Sequence, residues 1–217
     1  VMHDWDMKTN IDGIYAAGDQ IYASDCAGFA CATGYYAGRK AAAYADTVEL
    51  EAVDRADVEA EKERLYAPLY VSPEDGMSWK ELNMAISKAM QNYCGGVKND
   101  DLLIQGIDLL KSYREEIVPQ LYCNNPHELM RTHEVLDILD VSEMILQACL
   151  MRKSSSKQLC FYRSDYPQMD PKEDHCFITI RQENGVPVRG TVPGDYFGDL
   201  KTEYEKRNQD YIGGEAK

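Results

Sequence analysis

No stretch of this chain approaches the roughly 18 consecutive apolar residues that a membrane-spanning helix needs, and no basic segment followed by an apolar one opens it. A soluble, cytoplasmic protein without a transmembrane segment is therefore expected. Cysteine is present seven times, at 26, 31, 94, 123, 149, 160 and 176, but never as Cys-x-x-Cys or another metal-ligand spacing. Their odd number and apolar helical settings, as for Cys149 in Gln147-Ala-Cys-Leu150, favour reduced core thiols of a cytosolic compartment over a disulfide framework. Positive charge is also in short supply. Against 37 acidic side chains stand 23 basic ones, a formal charge of −14, and such a field repels phosphate backbones. Nucleic acid is not an expected partner, although a local cluster of Arg or Lys would still suffice for an anionic substrate.

Histidine is sparse, at 3, 127, 133 and 175, and the spacing of six between His127 and His133 does not place both on one helix face. No metal site is expected. No spacing suggests a Ser-His-Asp arrangement, so no catalytic residue is assigned. Internal repeats and low-complexity tracts are missing too.

What is present is a chain of 217 residues with 44% hydrophobic and 28% charged side chains, enough for one large or two small globular units with a real core. The opening residues, Val1-Met-His-Asp-Trp-Asp6, run almost directly into a strand pattern, as if sequence preceded them. Residues 13–17 (Gly-Ile-Tyr-Ala-Ala) read as a short buried strand after a turn and before Gly18-Asp19. From about 28 to 45, Ala30, Thr33, Gly34, Ala37 and Ala41 permit a helix that packs closely on a flat neighbour.

Residues 48–77 are acidic, with apolar points only sparsely placed and with Pro68 and Pro73 as breakers, and read as a linker without a helix. Ser78-Trp-Lys-Glu81 is a capping-box pattern that starts a helix ending near Gly95-Gly96. A second helix is expected over 100–117 and a third over 126–153, where Val135, Ile138, Leu139, Met144, Ile145 and Ala148 form a broad apolar stripe. Together these three make a bundle. Beyond Ser154-Ser-Ser156, strands at 177–180 and 186–192 flank the hairpin signal Asn184-Gly185, and a frayed helix near 203–207 precedes a mobile tail. Asp137 and Asp140 read as a solvated helix edge, and the tyrosines, including Tyr35, Tyr36, Tyr162 and Tyr166, as core side chains with a wet hydroxyl. Arg152 and Arg163 follow the third helix and are candidates to face a partner.

A strand, a Gly-Asp turn and a small-residue helix suit a dinucleotide, because only small residues let backbone approach a planar group, and a helix N-terminus favours negative charge. The same turn could equally be capped by Asp19 with no ligand at all. Thr9-Asn-Ile-Asp-Gly-Ile-Tyr-Ala-Ala-Gly-Asp19 resembles the segment "T-x-I-P-G-L-Y-A-A-G-E" of the fumarate reductase and succinate dehydrogenase flavoproteins. Tyr36-Ala-Gly-Arg-Lys-Ala-Ala42 continues that likeness, 148–153 is similar to the family's "A-L-x-R" run, and Arg163-Ser-Asp-Tyr-Pro167 to its "R-x-D-Y-P".

The resemblance implies the C-terminal part of an FAD-dependent oxidoreductase, with Gly18, Asp19, Ala30 and Cys31 at the flavin-end wall of the FAD site. It implies an α+β, mainly α, chain: a piece of an FAD-binding α/β fold (1–47), a linker (48–77), a helical bundle (78–158), and a C-terminal hairpin and tail (159–217). Its implied partners are the remainder of the flavoprotein and an iron-sulfur electron-transfer subunit. The alternative is a non-catalytic helical module that docks such a redox subunit.

The chain departs from the family at two places. The loop "G-A-N-R-L-G-G-N-S-L" is replaced by Tyr22-Ala-Ser-Asp-Cys-Ala-Gly-Phe-Ala-Cys31, which puts Asp25 at the place of a substrate-binding Arg and Ala30 at that of a Ser. An acid does not pair with a dicarboxylate, so succinate and fumarate are not the expected substrates, and the adenylylsulfate reductase branch fits as well. The stretch "E-S-R-G-A-H" is Ser154-Ser-Ser-Lys-Gln-Leu159 here. No Gly-x-Gly-x-x-Gly fingerprint occurs, so the chain is expected to supply only part of the cofactor site and not to retain FAD by itself.

Overall fold

A computed structural model describes residues 1–21, 27–50 and 52–209. A 3-10 turn (Gly18–Ile21) leads to α1 (Ala27–Ala45), α2 (Arg55–Tyr66), a second 3-10 turn (Ala67–Tyr70), β1 (Met77–Ser78) and α3 (Trp79–Tyr93). Next come β2 (Val97–Lys98), α4 (Asp100–Ser112), a π-helical turn (Tyr113–Ile117), a 3-10 turn (Val118–Gln120), β3 (Leu121–Tyr122) and α5 (Pro126–Met151). The chain closes with β4 (Tyr162–Arg163), α6 (Pro171–Asp174), β5 (Cys176–Glu183), β6 (Val186–Pro193) and α7 (Leu200–Arg207). The architecture is α+β and mainly α. Two compact units divide it, one of residues 1–53 with the segment from Phe197 onward, the other of residues 54–196.

In the larger unit α3, α4 and α5 bury one face each. Leu82, Ile86 and Ala89 of α3, Leu103 and Leu110 of α4, and Val135, Leu139 and Leu146 of α5 retain at most 3% of their surface. They recur at intervals of three, four or seven residues, which lays each set along one side of its helix, and each large aliphatic so buried contributes roughly 1.5–3 kcal/mol. Gly106 of α4 lets the helices close up, since a Cβ there would stand 2.7 Å from the Tyr93 Cβ and 3.3 Å from Leu146.

Side chains fix where the three helices begin. Glu81 accepts hydrogen bonds from the backbone and hydroxyl of Ser78 at 2.8 and 2.7 Å, Asn99 accepts from the Leu102 amide at 2.9 Å, and Asn125 from the Glu128 amide at 3.0 Å. Each such cap stabilises by about 1 kcal/mol. α4 ends at Ser112 and passes into the π-helical turn that closes at Ile117, the expected end of the second helix, with Pro119 in the 3-10 turn that follows, and α5 closes two residues before the expected end of the third.

Two short parallel ladders tie the loops to the bundle: β1 pairs with β3, and β2 with β4. The β5–β6 hairpin turns at Asn184 and Gly185, both with positive φ (51° and 80°), the backbone that this dipeptide favours. The expected tail beyond residue 209 lies outside the described residues.

Two expectations are corrected. The acidic stretch holds a helix, α2, well before Pro68 can interrupt it. Asp54 caps it by accepting from Ala56 at 2.8 Å, and Lys62–Glu59 and Arg64–Glu61 pair one turn apart, so charges that suggested a linker support a helix. Residues 13–17 form no regular strand. Tyr15 makes an isolated antiparallel bridge with Lys8, flanked by Thr9 N–H to Ile14 O and Ala16 N–H to Met7 O, both 2.9 Å, so among the described residues only one short neighbour pairs with it.

Candidate functional site

In the smaller unit the backbone turns sharply at Gly13 and Gly18, with φ of 80° and 67°, after Ala16 has been buried. The Gly18 amide donates to Thr33 Oγ1 at 3.0 Å, and the same hydroxyl donates to Phe29 O at 2.7 Å. Thr33 thus holds the turn against the first two turns of α1. A Cβ on Gly18 would lie 3.8 Å from the Ala30 Cβ, so turn and helix meet with only small side chains between them.

Of the four residues implied as cofactor contacts, Gly18 and Ala30 are brought together in this way. Asp19 follows on the exposed side of the turn, and its carboxylate bonds to none of the described residues. Cys31 is the next exposed position along α1. Asp25, at the place of the family's substrate-binding Arg, lies outside the described residues. Thr33 was visible in the sequence only as a small helix residue. Its role as an anchor needs a contact fifteen positions away, which no local pattern announces.

α1 is apolar yet largely uncovered: only Ala37 is buried among its residues, Phe29 and Tyr35 are 59% and 71% exposed, and a Cβ at Gly34 or Gly38 would meet nothing within 4 Å. This corrects the expectation of Tyr35 as a core side chain. The opposite end of the unit is pinned at Asp6, which receives Tyr36 Oη at 3.1 Å and Lys40 Nζ and Arg207 Nη1, each at 3.0 Å. Burial pushes the Asp6 carboxyl up, and these donors together hold it below the ordinary value. Arg207 brings α7 onto this unit, beside the Trp5–Phe197 ring contact at 5.3 Å. Among the described residues, the surface beside the Gly18 turn is thus small-residued and next to a carboxylate that none of them bonds, which fits one edge of a planar, hydroxyl-bearing cofactor.

In the larger unit Arg163 is not a partner-facing residue. Its side chain has no exposed surface; Nη2 pairs with Asp100 and, at 2.7 Å, with Asp165, while Nη1 donates to Cys149 O and Arg152 O, each at 2.8 Å. The expectation failed because these acceptors converge from three separate segments. A cleft of about 810 Å³ lies between α2, the π-helical turn and α5, lined in part by Arg64, Arg114, His133, Asp137 and Asp140. Arg114 pairs there with Asp140 at 2.6 Å, and His133 Nε2 meets Leu65 O at 2.8 Å. Cys123 is buried as expected, whereas Cys31 and Cys160 are exposed, and Cys26 lies outside the described residues. Among the described residues no three His, Cys, Asp or Glu side chains gather as a metal site, and no helix is long and apolar enough to cross a membrane.

Residues 83–189 match the family described as fumarate reductase flavoprotein C-term. Among solved structures, adenylylsulfate reductase from Archaeoglobus fulgidus superposes with a TM-score of 0.70 at 22% identity, covering 76% of this chain and 29% of that one. FrdA of the E. coli quinol fumarate reductase gives 0.68 at 21%, covering 88% and 35%. Sdh1 of Mycobacterium smegmatis gives 0.62 at 21%, covering 74% and 27%. These likenesses establish the fold, and the chain spans only about a third of each relative. A search of the curated proteins finds no match. The matched region, residues 83–189, is that family's C-terminal domain, and the chain shares the fold of the C-terminal part of the fumarate reductase, succinate dehydrogenase and adenylylsulfate reductase flavoproteins.

Proposed function

We propose that residues 1–47 supply the flavin-end wall of the FAD site in a flavoprotein oxidoreductase, and that the chain adds a helical domain that carries neither the reaction's base nor its substrate clamp. The observation that carries this reading is the Gly18 turn, fixed by Thr33 against Ala30 with the exposed Asp19 next in the chain. FAD would bring the redox chemistry. The chain's residues would orient it: Gly18 and Ala30 by leaving room for close approach, Asp19 by accepting from a ribityl or ribose hydroxyl, and Cys31 from the next position on α1. With Asp25 at the place of the dicarboxylate-binding Arg, the reading does not extend to succinate or fumarate. In the flavoprotein carrying this chain, Asp19→Ala removes a charged hydrogen-bond acceptor, a loss of about 1.5–3 kcal/mol, or roughly ten- to a hundredfold in FAD affinity. Unchanged affinity in a calorimetric titration counts against the assignment.

A second reading, a module that docks an iron-sulfur subunit, is favoured by α5. Ile138, Val141, Met144 and Ile145 are 42–48% exposed on the side opposite its buried Val135, Leu139 and Leu146. Loss of a co-purifying iron-sulfur subunit on Val141→Glu supports this reading; retention argues against it.

A further inference from the structure

We propose that Cys94 and Cys149 form an oxidisable dithiol that closes to a disulfide between the C-terminal ends of α3 and α5. Cys94 is the residue that ends α3, and Cys149 lies in the last turn of α5. Their sulfurs stand 3.8 Å apart with both thiols free and half-buried. Closing to the ~2.05 Å of a disulfide requires less than 2 Å of movement, within reach of small side-chain rotations. The neighbouring backbone is anchored on both sides. Arg163 holds the Cys149 carbonyl at 2.8 Å, and Lys98 donates to Gly95 O at 2.8 Å, one residue beyond Cys94.

The pair is also electronically unequal. A hydrogen bond from Cys149 holds the Cys94 thiol down at about 7, against burial and aided by the Lys98 charge, whereas the same bond and burial push Cys149 up. Cys94 is therefore the sulfur that reacts first near neutral pH. With a low-molecular-weight disulfide as oxidant, the Cys94 thiolate attacks one of its sulfurs and releases a small thiolate. Cys149 then loses its proton and attacks the Cys94 sulfur, forming the protein disulfide and releasing the second small thiol. Two protein S–H bonds are replaced by one S–S bond, and the two electrons and two protons leave on the two small thiols.

The bond would link positions 55 residues apart and fasten the α3–α5 contact next to the Arg163 cluster. The other cysteines provide internal competition: Cys31 and Cys160 are exposed, while burial holds the Cys123 thiol up.

The test is oxidation of the full, reduced chain by oxidised glutathione near neutral pH, followed by alkylation and peptide mass mapping. The expected product has lost two hydrogen atoms, carries a 94–149 linked peptide, reverts with dithiothreitol, and unfolds at a higher temperature than the reduced chain. Cys149→Ala should stop at a stable glutathione adduct on Cys94, and its Cys94 should alkylate more slowly at pH 7. The proposal is overturned if Cys94 and Cys149 both remain alkylatable while Cys31 or Cys160 is oxidised. It is equally overturned if wild-type Cys94 accumulates the glutathione adduct without linkage, or if the 94–149 link forms as readily in denaturant as in the folded chain.

Discussion

Arg163 and Asp100, 63 positions apart, form an ion pair in which the guanidinium has no exposed surface while the carboxylate keeps 34% of its own. Lys153 adds a second cation on Asp100 at 2.6 and 2.7 Å, and Asp165 a second anion on Arg163, so the four charges cancel. The cluster joins β4, the start of α4 and the end of α5, and it sits where the bundle receives the chain after α5.

Arg163→Ala leaves two carboxylates and two carbonyls without their shared donor. Removing one partner of a buried charge network costs about 3–5 kcal/mol, and urea unfolding of the variant should show a loss of that order. Arg163→Lys should recover only part, because an ammonium cannot reproduce the planar fork. A variant as stable as the parent would show that the network is incidental.

The same cluster sets an acid limit. Hydrogen bonds from the Arg163 guanidinium, against burial, hold Asp165 at about 2, below its ordinary 3.8, and Lys153 then Arg163 hold Asp100 below its ordinary value, also against burial. Folded-state values below the unfolded ones mean that this stability is fully present above about pH 4 and is lost as pH falls toward about 2. Asp165→Asn should flatten stability between those limits while leaving the neutral-pH salt dependence of the exposed pairs intact. An unaltered acid profile would contradict the assignment.

Gly106→Ala tests packing against propensity. Alanine favours a helix interior by about 1 kcal/mol over glycine, but here its Cβ would meet Tyr93 at 2.7 Å and Leu146 at 3.3 Å. Overpacking of this kind costs about 1–3 kcal/mol, so the variant should melt below the parent. A higher melting temperature would mean that α3 and α4 have room to separate.

What the sequence made legible was local. The hairpin followed from Asn184-Gly185, whose backbone sits at positive φ, and the three bundle helices from their apolar spacing and from Ser78-Trp-Lys-Glu81. Acidic density, sparse apolar positions and the prolines at 68 and 73 point to a linker and hide α2, although Asp54 and the Glu59–Lys62 and Glu61–Arg64 spacings carry the helical signal. The parallel ladders, the burial of Arg163 and the approach of Cys94 to Cys149 were not legible, since each depends on segments tens of positions apart. At the Gly18 turn proposed as a cofactor wall, residues 28–45 could be read as a helix, but Thr33 as the residue that joins turn and helix could not.

A visible absorbance scan of the purified chain, followed by calorimetric titration with FAD, tests the central claim most directly. If residues 1–47 form only the flavin-end wall of a larger site, the chain carries no flavin and binds none stoichiometrically. Stoichiometric FAD on this chain alone would contradict that account and would mean that these residues complete a site of their own.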